Sequence, residues 1–491
     1  MIINPLMLID FYKADHRRQY PEGTELVYSN FTPRQSRVAE NDKLVFFGLQ
    51  YLVKEYLVKQ WNEGFFSQPK EKVVAQYKRR MDTALGPDAI DVNHIAELHD
   101  LGYLPLVVKG LPEGTIVSPK IPVVTIYNTI PKFFWLTNYL ESLMSAILWK
   151  PCTSATTAFQ YRKIFNQYAR ETVSANENID FVFWQGHDFS FRGMSGVEDA
   201  CISAAGHLLS FYGTDTVPAI DFHEIYYNAN AENELIGGSV PATEHSVMCM
   251  GTKDNEIGTF ERLITELYPT GIVSIVSDTW DFWKVITEFL PLLKDKILAR
   301  DGKMVIRPDS GDPVKIIVGD PNATPGSPEF KGAIECMWEV FGGTTTEQGF
   351  KLLDGRVGLI YGDSITIQRQ KDILQGLKNK GFASFNVVLG IGSYTYEYVT
   401  RDTYGFAMKA TYGEVNGEAR NIFKDPKTDN GTKKSAKGLL AVHEVNGELI
   451  LKDECTWDEE KTGLLTTVFE NGKIVKEYSL TEIRTKVSSY L

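Results

Sequence analysis

The 491-residue chain has no apolar run near the ~18 residues that a membrane-spanning helix needs, so no such span is expected. It has no Cys-x-x-Cys. Its cysteines, Cys152, Cys201, Cys249, Cys336 and Cys455, are odd in number and widely spread. That argues against a disulfide framework and against a structural zinc site. The segment from Met1 to Tyr20 has no basic n-region and carries Asp10, Asp15 and His16, so it does not read as a signal peptide. These absences point to a cytoplasmic protein, in which the sequons at Asn30, Asn322 and Asn430 are accidental. Neither Gly-x-Gly-x-x-Gly nor a Walker A pattern occurs, so dinucleotide folds and P-loop NTPases lack support. No repeat of fixed period is visible. Positive charge is in deficit, with 51 Lys and Arg against 63 Asp and Glu and a net charge of −12. A nucleic-acid binder would need a basic footprint. An anionic ligand must therefore be held by a few placed cations or metal ions rather than by a diffuse field.

What is present is an ordinary globular balance, 43% hydrophobic and 23% charged, long enough for two to four domains at ~100–200 residues each. Two segments near the start have apolar residues at helical spacing. Val45 to Trp61 predicts one helix, and Pro131 to Trp149 a second, with Pro131 as its start and Pro151 as its stop. The middle third has a different grammar, in which short apolar runs end in small polar clusters. FVFW leads to Gln-Gly-His187-Asp188, VSIV to Ser277-Asp278, and MVI to Arg307-Pro-Asp309-Ser-Gly-Asp. GLIY leads to Gly362-Asp363-Ser364, and FNVVL to Gly390-Ile-Gly392-Ser393. Amphipathic stretches such as Trp280 to Leu298 lie between them. Buried strands alternating with helices imply parallel βα units. A closed or nearly closed α/β barrel gathers its strand C-termini at one face, where its active site lies. The chain end differs again. Asn416-Gly417, Asn446-Gly447 and Asn471-Gly472 each sit between β-rich runs and predict type I′ hairpins. A lysine-rich stretch including Lys424 and Lys433 reads either as a solvated loop or as a polyphosphate contact.

Each polar cluster has a bland reading beside a chemical one. Arg307 and Asp309 can clamp a phosphate and hold a ribose hydroxyl or Mg²⁺, or can form a surface turn with a salt bridge. Gly362-Asp363 suits a ribose diol or a plain βα turn. Gly392 and Ser393 can offer backbone N–H groups to a phosphate at a helix start. Phe189 can stack on a flat heterocycle and Arg192 can reach an anion, or both can serve packing and surface. Asp215 accepts hydrogen bonds without donating, so it favours an amide –NH₂ over a carboxylate. Glu244-His245 puts a base, metal ligand or phosphoryl acceptor beside a carboxylate.

In order along the chain these segments resemble the nicotinamide phosphoribosyltransferase family. The likeness runs from Asp10-Phe-Tyr-Lys to the closing Phe469-Glu-Asn-Gly-Lys-Ile-Val-Lys-Glu-Tyr-Ser. Its most specific pieces are His187-Asp-Phe-Ser-Phe-Arg-Gly, Gly213-Thr-Asp-Thr-Val, Ser239-Val-Pro-Ala-Thr-Glu-His-Ser, Val276-Ser-Asp, Ile306-Arg-Pro-Asp-Ser-Gly, Gly362-Asp, Thr400-Arg-Asp and Phe423-Lys-Asp-Pro. The resemblance implies a type II phosphoribosyltransferase fold: an irregular parallel α/β barrel, residues 156–399, and an α+β domain from both chain ends, residues 1–155 with 400–491. It implies transfer of the phosphoribosyl group of phosphoribosyl pyrophosphate to nicotinamide, with Mg²⁺ as cofactor and ATP as co-substrate. It also implies a homodimer with shared sites, and neither nucleic acid nor membrane as partner.

Position by position, the resemblance implies that Phe189 and Tyr12 from the second copy sandwich the pyridine ring, and that Asp215 accepts from the carboxamide. Arg192 and Arg307 bind phosphates, Asp309 the ribose and its metal ion, and Gly362 and Asp363 the ribose hydroxyls. Gly392 and Ser393 seat the 5′-phosphate, with Ser239 and Ser277 completing the substrate-binding set. Arg34, Arg401 and Lys409 reach pyrophosphate across the interface, and Lys424 and Lys433 touch nucleotide. His245 is the phosphoryl acceptor, oriented by Glu244 or Asp281. The chain departs from the family pattern where Ser393-Tyr394 replaces a glycine run, where Tyr398 replaces a lysine, and at Gly358, where an arginine is frequent. A nicotinate phosphoribosyltransferase is the alternative, and Asp215 separates the two, because a substrate carboxylate beside it is repelled. A binding protein on the same scaffold would have no need of His245, Arg307, Asp309 and Asp363 together.

Overall fold

A computed structural model describes residues 2–38, 41–362, 364–424 and 435–491. The chain divides into two compact units. The first takes residues 1–156, 222–230 and 399–490, and the second residues 157–221 and 231–398. Among the described residues no helix is long and apolar enough to cross a membrane.

The second unit is built on six parallel strands. Their spatial order is Gly213–Thr214, Gly186–Asp188, Val387–Ile391, Val357–Tyr361, Asp301–Arg307 and Thr270–Val276. The predicted runs at VSIV, MVI, GLIY and FNVVL are these strands. FVFW is not. Val182–Gln185 is a helical turn in which Val182 is buried and Phe183 stacks on Tyr212, and the strand follows at Gly186. A four-residue apolar run does not tell strand from buried helix by itself. The stretch from Trp280 to Leu298 is helical from Phe282 onward, as its amphipathic pattern predicts. Helices and sheet enclose one apolar core that includes Val273, Ile275, Ile306, Leu359 and Leu389. Residues 238–243 run along both sheet edges. Thr214 N donates to Gly238 O at 3.0 Å, and Thr243 N donates to Ser274 O at 2.9 Å.

The first unit holds a seven-stranded antiparallel sheet drawn from both ends of its sequence. The order is Glu418–Asn421, Ala407–Val415, Thr24–Thr32, Val124–Asn128, Leu106–Gly110, Thr466–Glu470 and Lys473–Ile474. All three Asn-Gly pairs are hairpin turns. Both residues of each pair have positive φ, from 47° at Asn471 to 80° at Gly447 and Gly472, as type I′ geometry demands.

Both early helices differ from prediction. Leu44–Val45 is a strand paired with Ile116–Val117, and winding begins at Leu49. The buried Glu113 carboxylate fixes that start by accepting from Gly48 N at 2.7 Å and Gln50 N at 2.6 Å. The second helix does not stop at Pro151. Short turns precede a helix over Glu141–Thr172 that carries the proline inside it. Leu148, Cys152 and Ala155 are buried around it. Their packing outweighs the one backbone bond that proline forfeits.

Candidate active site

Six parallel strands put their C-terminal ends along one edge, and the polar clusters read from sequence fall there. Two cavities reach that edge, the first of them extending along the strands to their starts at Lys303, Val357 and Val387. One, of about 370 Å³, is lined by Trp184, His187, Phe189, Asp215, Ser239 and Arg307 among others. The second, of about 820 Å³, shares Phe189, Asp215 and Arg307. It adds Arg192, Glu244, His245, Asp309, Gly362, Gly392, Ser393 and Tyr394.

Glycines set the position of the Phe189 ring. A Cβ on Gly390 would collide with the ring, and one on Gly362 would lie 3.4 Å from it and 3.0 Å from Asp309 Oδ1. Gly390, inside its strand, and Gly362, directly after the neighbouring one, thus let an aromatic face and a carboxylate approach bare backbone. Similarly, a Cβ on Gly213 would stand 2.6 Å from His187 Nδ1. A Cβ on Gly193 would collide with Ser393, so the Arg192 turn and the start of the Ser393–Glu397 helix lie close together.

Asp215 is held from three sides. Its N–H donates to Asp188 O at 2.9 Å, and Oδ1 accepts from Ser239 Oγ at 2.6 Å and meets His187 Nε2 at 2.9 Å. Burial works against its charge, but His187, Ser239 and the Arg307 guanidinium outweigh burial and hold its carboxyl below the ordinary range. Arg307 Nη2 donates to Thr243 O at 2.6 Å, while Nε lies 3.5 Å from Asp309 Oδ2 without hydrogen-bond geometry. That leaves donor capacity in the guanidinium facing the cavities.

The histidine's partner differs from expectation. His245 Nε2 lies 3.2 Å from Asp278 Oδ1. Asp281 instead caps the following helix by accepting from Lys284 N at 3.0 Å, and Glu244 accepts from Ser246 Oγ. Asp278 also takes Asp309 N at 2.9 Å, Ser310 N at 2.7 Å and Ser310 Oγ at 2.6 Å on Oδ2. One carboxylate thus joins the histidine to the turn that carries Asp309. Burial opposes its ionisation, yet Ser310, the Asp309 N–H and His245 lower its pKa. Asp278 is legible in the sequence as the carboxylate two residues after a strand, next to Ser277. The Ser277 side chain is fully buried and donates back to Ile275 O at 2.7 Å. His187 was likewise legible only as the neighbour of Phe189.

In the first unit Tyr12, Lys409 and Lys424 line a hollow of about 540 Å³ with Lys13, His16 and Glu141. Burial lowers the Lys409 pKa, Glu141 opposes that, and the like charges of Arg34, Lys424 and Lys13 add to it. Arg34 Nε donates to Gly405 O at 2.8 Å, and Arg401 is exposed beside Asp402. Asp363 and Lys433 lie outside the described residues. Among the described residues no group of three or more His, Cys, Asp or Glu is placed to hold a metal ion.

The fold has solved counterparts. A nicotinate-nucleotide pyrophosphorylase from Pyrococcus furiosus superposes with a TM-score of 0.60 over 99% of this chain and 95% of that one, at 14% identity. Human nicotinic acid phosphoribosyltransferase gives 0.55 over 98% and 93%, also at 14% identity. Likeness at that identity is one of fold, and the fold is that of the type II phosphoribosyltransferases. Residues 184–473 match the nicotinate phosphoribosyltransferase (NAPRTase) family, and residues 4–81 match the nicotinamide phosphoribosyltransferase N-terminal domain. A nicotinamide phosphoribosyltransferase of Acinetobacter baylyi is 59% identical across 100% of this chain and 98% of its own length. One of Xanthomonas campestris pv. campestris is 32% identical across 98% and 97%. The chain belongs to the nicotinamide phosphoribosyltransferases, within the nicotinate phosphoribosyltransferase family.

Proposed function

We propose that this protein transfers the phosphoribosyl group of phosphoribosyl pyrophosphate to nicotinamide, giving nicotinamide mononucleotide and pyrophosphate. Full-length likeness to the Acinetobacter nicotinamide phosphoribosyltransferase supports the reaction. The observation that carries the choice of base is Asp215, an ionised carboxylate lining the same cavity as Phe189. It accepts from a carboxamide and repels a nicotinate carboxylate. The neutral pyridine nitrogen is itself nucleophilic, so no general base is assigned. Phe189 offers a face to the ring. Arg307 and Arg192 stand where negative charge grows on the leaving pyrophosphate, and their attraction is stronger in the transition state than in the ground state.

The residues present fit a metal ion that arrives with the phosphates rather than one in a resident cage, because among the described residues no group of three or more His, Cys, Asp or Glu is placed to hold one. Mg²⁺, when bound, neutralises charge on the pyrophosphate, and Asp309 is the carboxylate placed to hold it. ATP is the proposed co-substrate, with His245 as phosphoryl acceptor. When Nε2–H donates to Asp278, Nδ1 keeps the lone pair needed for attack. Glu244 then acts on the Ser246 hydroxyl and Asp281 on the Lys284 N–H rather than on the ring.

Ser239 binds substrate indirectly through Asp215, and Ser277 supports the strand end. Gly362 with Asp363 takes the ribose hydroxyls, and Gly392 with Ser393 the 5′-phosphate. Tyr12, Arg34, Arg401, Lys409, Lys424 and Lys433 belong to the set that a second copy contributes, which makes the working enzyme a homodimer. The parallel sheet, flanked along both edges by residues 238–243, is read as the irregular barrel. The domains are 156–399 for that barrel and 1–155 with 400–491 for the rest.

The test is product formation by chromatography from phosphoribosyl pyrophosphate and Mg²⁺, with nicotinamide or nicotinate, with and without ATP. Mononucleotide from nicotinamide alone is expected, with stimulation by ATP. Turnover of nicotinate in its place would overturn the reading of Asp215.

A further inference from the structure

Asp188 is fully buried immediately before Phe189, yet no cation pairs with it among the described residues. Four neutral donors surround it. Oδ1 accepts from Ser190 N at 3.0 Å and Ser190 Oγ at 2.6 Å. Oδ2 accepts from Thr214 Oγ1 at 2.8 Å and Thr216 Oγ1 at 2.7 Å. Its own carbonyl accepts from Asp215 N at 2.9 Å. These donors are arranged in a particular way. Asp188 and Ser190 flank Phe189, while Thr214 and Thr216 flank Asp215. One oxygen fixes the residues around the ring-stacking side chain, and the other fixes those around the amide-reading side chain.

We propose that Asp188 is the positioning residue for base recognition, its two carboxylate oxygens setting the mutual placement of Phe189 and Asp215. The proposal rests on the nicotinamide reading of that pocket. A buried ion needs its hydrogen bonds filled. Burying the Asp188 carboxyl oxygens in this position is costly unless all four donors hold their places, so the chain segments that bear them are locked together. A ring bound against Phe189 then presents its carboxamide to Asp215 at a fixed separation. An error there weakens base binding without touching the phosphate groups held by Arg307 and Arg192.

The test is steady-state kinetics of Asp188→Asn, Asp188→Ala and Thr216→Val, with both substrates varied. Asn retains one acceptor oxygen, best spent on the fixed Ser190 N–H, and turns its amide toward the threonine hydroxyls, which can rotate to accept. Asp188→Ala is expected to raise the nicotinamide KM at least tenfold, with the phosphoribosyl pyrophosphate KM within twofold and a lesser change in kcat. Asp188→Asn is expected to fall between, and Thr216→Val to weaken discrimination against nicotinate while preserving most nicotinamide turnover. A merely structural residue would lower kcat or the melting temperature and leave that split absent. Parallel rises in both KM values, or wild-type kinetics in all three variants, would overturn the proposal. Should the alanine variant fail to fold, the other two, with changes smaller in volume, decide it. Wild-type protein that turns over nicotinate instead of nicotinamide defeats the base assignment, whereas wild-type turnover of nicotinamide without the split in the variants defeats only the role of Asp188.

Discussion

A buried ion pair in the first unit and two buried carboxylates in the second are answered in opposite ways. In the first, Lys109 Nζ meets both oxygens of Glu460 at 2.8 Å, with 7% and 1% of the side chains exposed. Charge answers charge, and nothing is left over for a ligand. In the second, Asp188 and Asp278 are answered mainly by hydroxyl and amide donors at the C-terminal edge of a parallel sheet. Their negative charge is stabilised locally but not cancelled, and it organises the segments that line the cavities. The Lys109–Glu460 pair leaves no room for a ligand, whereas the two carboxylates at the strand ends, served by neutral dipoles, organise the segments that line the cavities; Glu113 of the first unit, also served by neutral donors, fixes a helix start instead.

The comparison is tested most severely at Arg307. In the second unit a cation faces the cavities, and its loss is expected to damage chemistry and spare the fold. Arg307→Ala should lower kcat/KM for phosphoribosyl pyrophosphate by about 10²–10³, the range seen when one donor to developing charge is removed. Its melting temperature should stay close to wild type. A large loss of stability with kcat/KM intact would reverse the roles given to the two units.

Lys109→Met should do the opposite. It strands a buried glutamate, a change that costs about 3–5 kcal/mol. Urea unfolding should show that loss, and kinetic constants of the molecules still folded should stay near wild type. Lys109→Met with Glu460→Leu should recover most of it, because an apolar pair of similar volume needs no desolvated charge. Failure of the double variant to recover would mean that the pair specifies the local packing.

Asp215→Asn is smaller and sharper. It removes the charge that rejects a carboxylate but keeps an oxygen that accepts from an amide. Discrimination between nicotinamide and nicotinate should fall about tenfold, roughly the 1.4 kcal/mol of one lost charge contact in a partly solvated site. Unchanged selectivity in competition assays would remove Asp215 from base choice.

What the sequence disclosed follows the same division. Strand ends in the second unit were readable because chemistry and topology coincide there: an apolar run, then Arg307-Pro-Asp309 or Gly362-Asp363. The Asn-Gly hairpins of the first unit were readable because type I′ geometry tolerates few other residues. Long-range pairing was not readable. Nothing near His245 announces Asp278, 33 positions away, because the contact exists only once the 238–243 segment lies beside the strand Thr270–Val276. Pro151 misled for a related reason: a proline's local cost was visible, and the buried surface that outweighs it was not. FVFW misled because four apolar residues satisfy helix and strand alike.

The smallest expected effect is an absence of one. A carboxylate whose pKa had been raised toward neutrality would lose its charge as pH fell through 6, and nicotinate would then become acceptable in mildly acid solution. The Asp215 pKa lies on the other side, lowered from its ordinary value against the pull of burial by His187, Ser239 and Arg307. Its charged form is therefore the dominant form throughout the range in which an enzyme assay is practical. Nicotinate, itself ionised across that range, meets the same repulsion at pH 5.5 as at pH 8. Selectivity in a mixed-substrate assay should therefore stay flat between those values, even where the rate changes. A rise in nicotinate use toward pH 5.5 would mean that His187 no longer holds the Asp215 proton off. His187→Ala would then be expected to shift that rise further toward neutral pH, since it removes the first of the contacts that keep the carboxylate ionised.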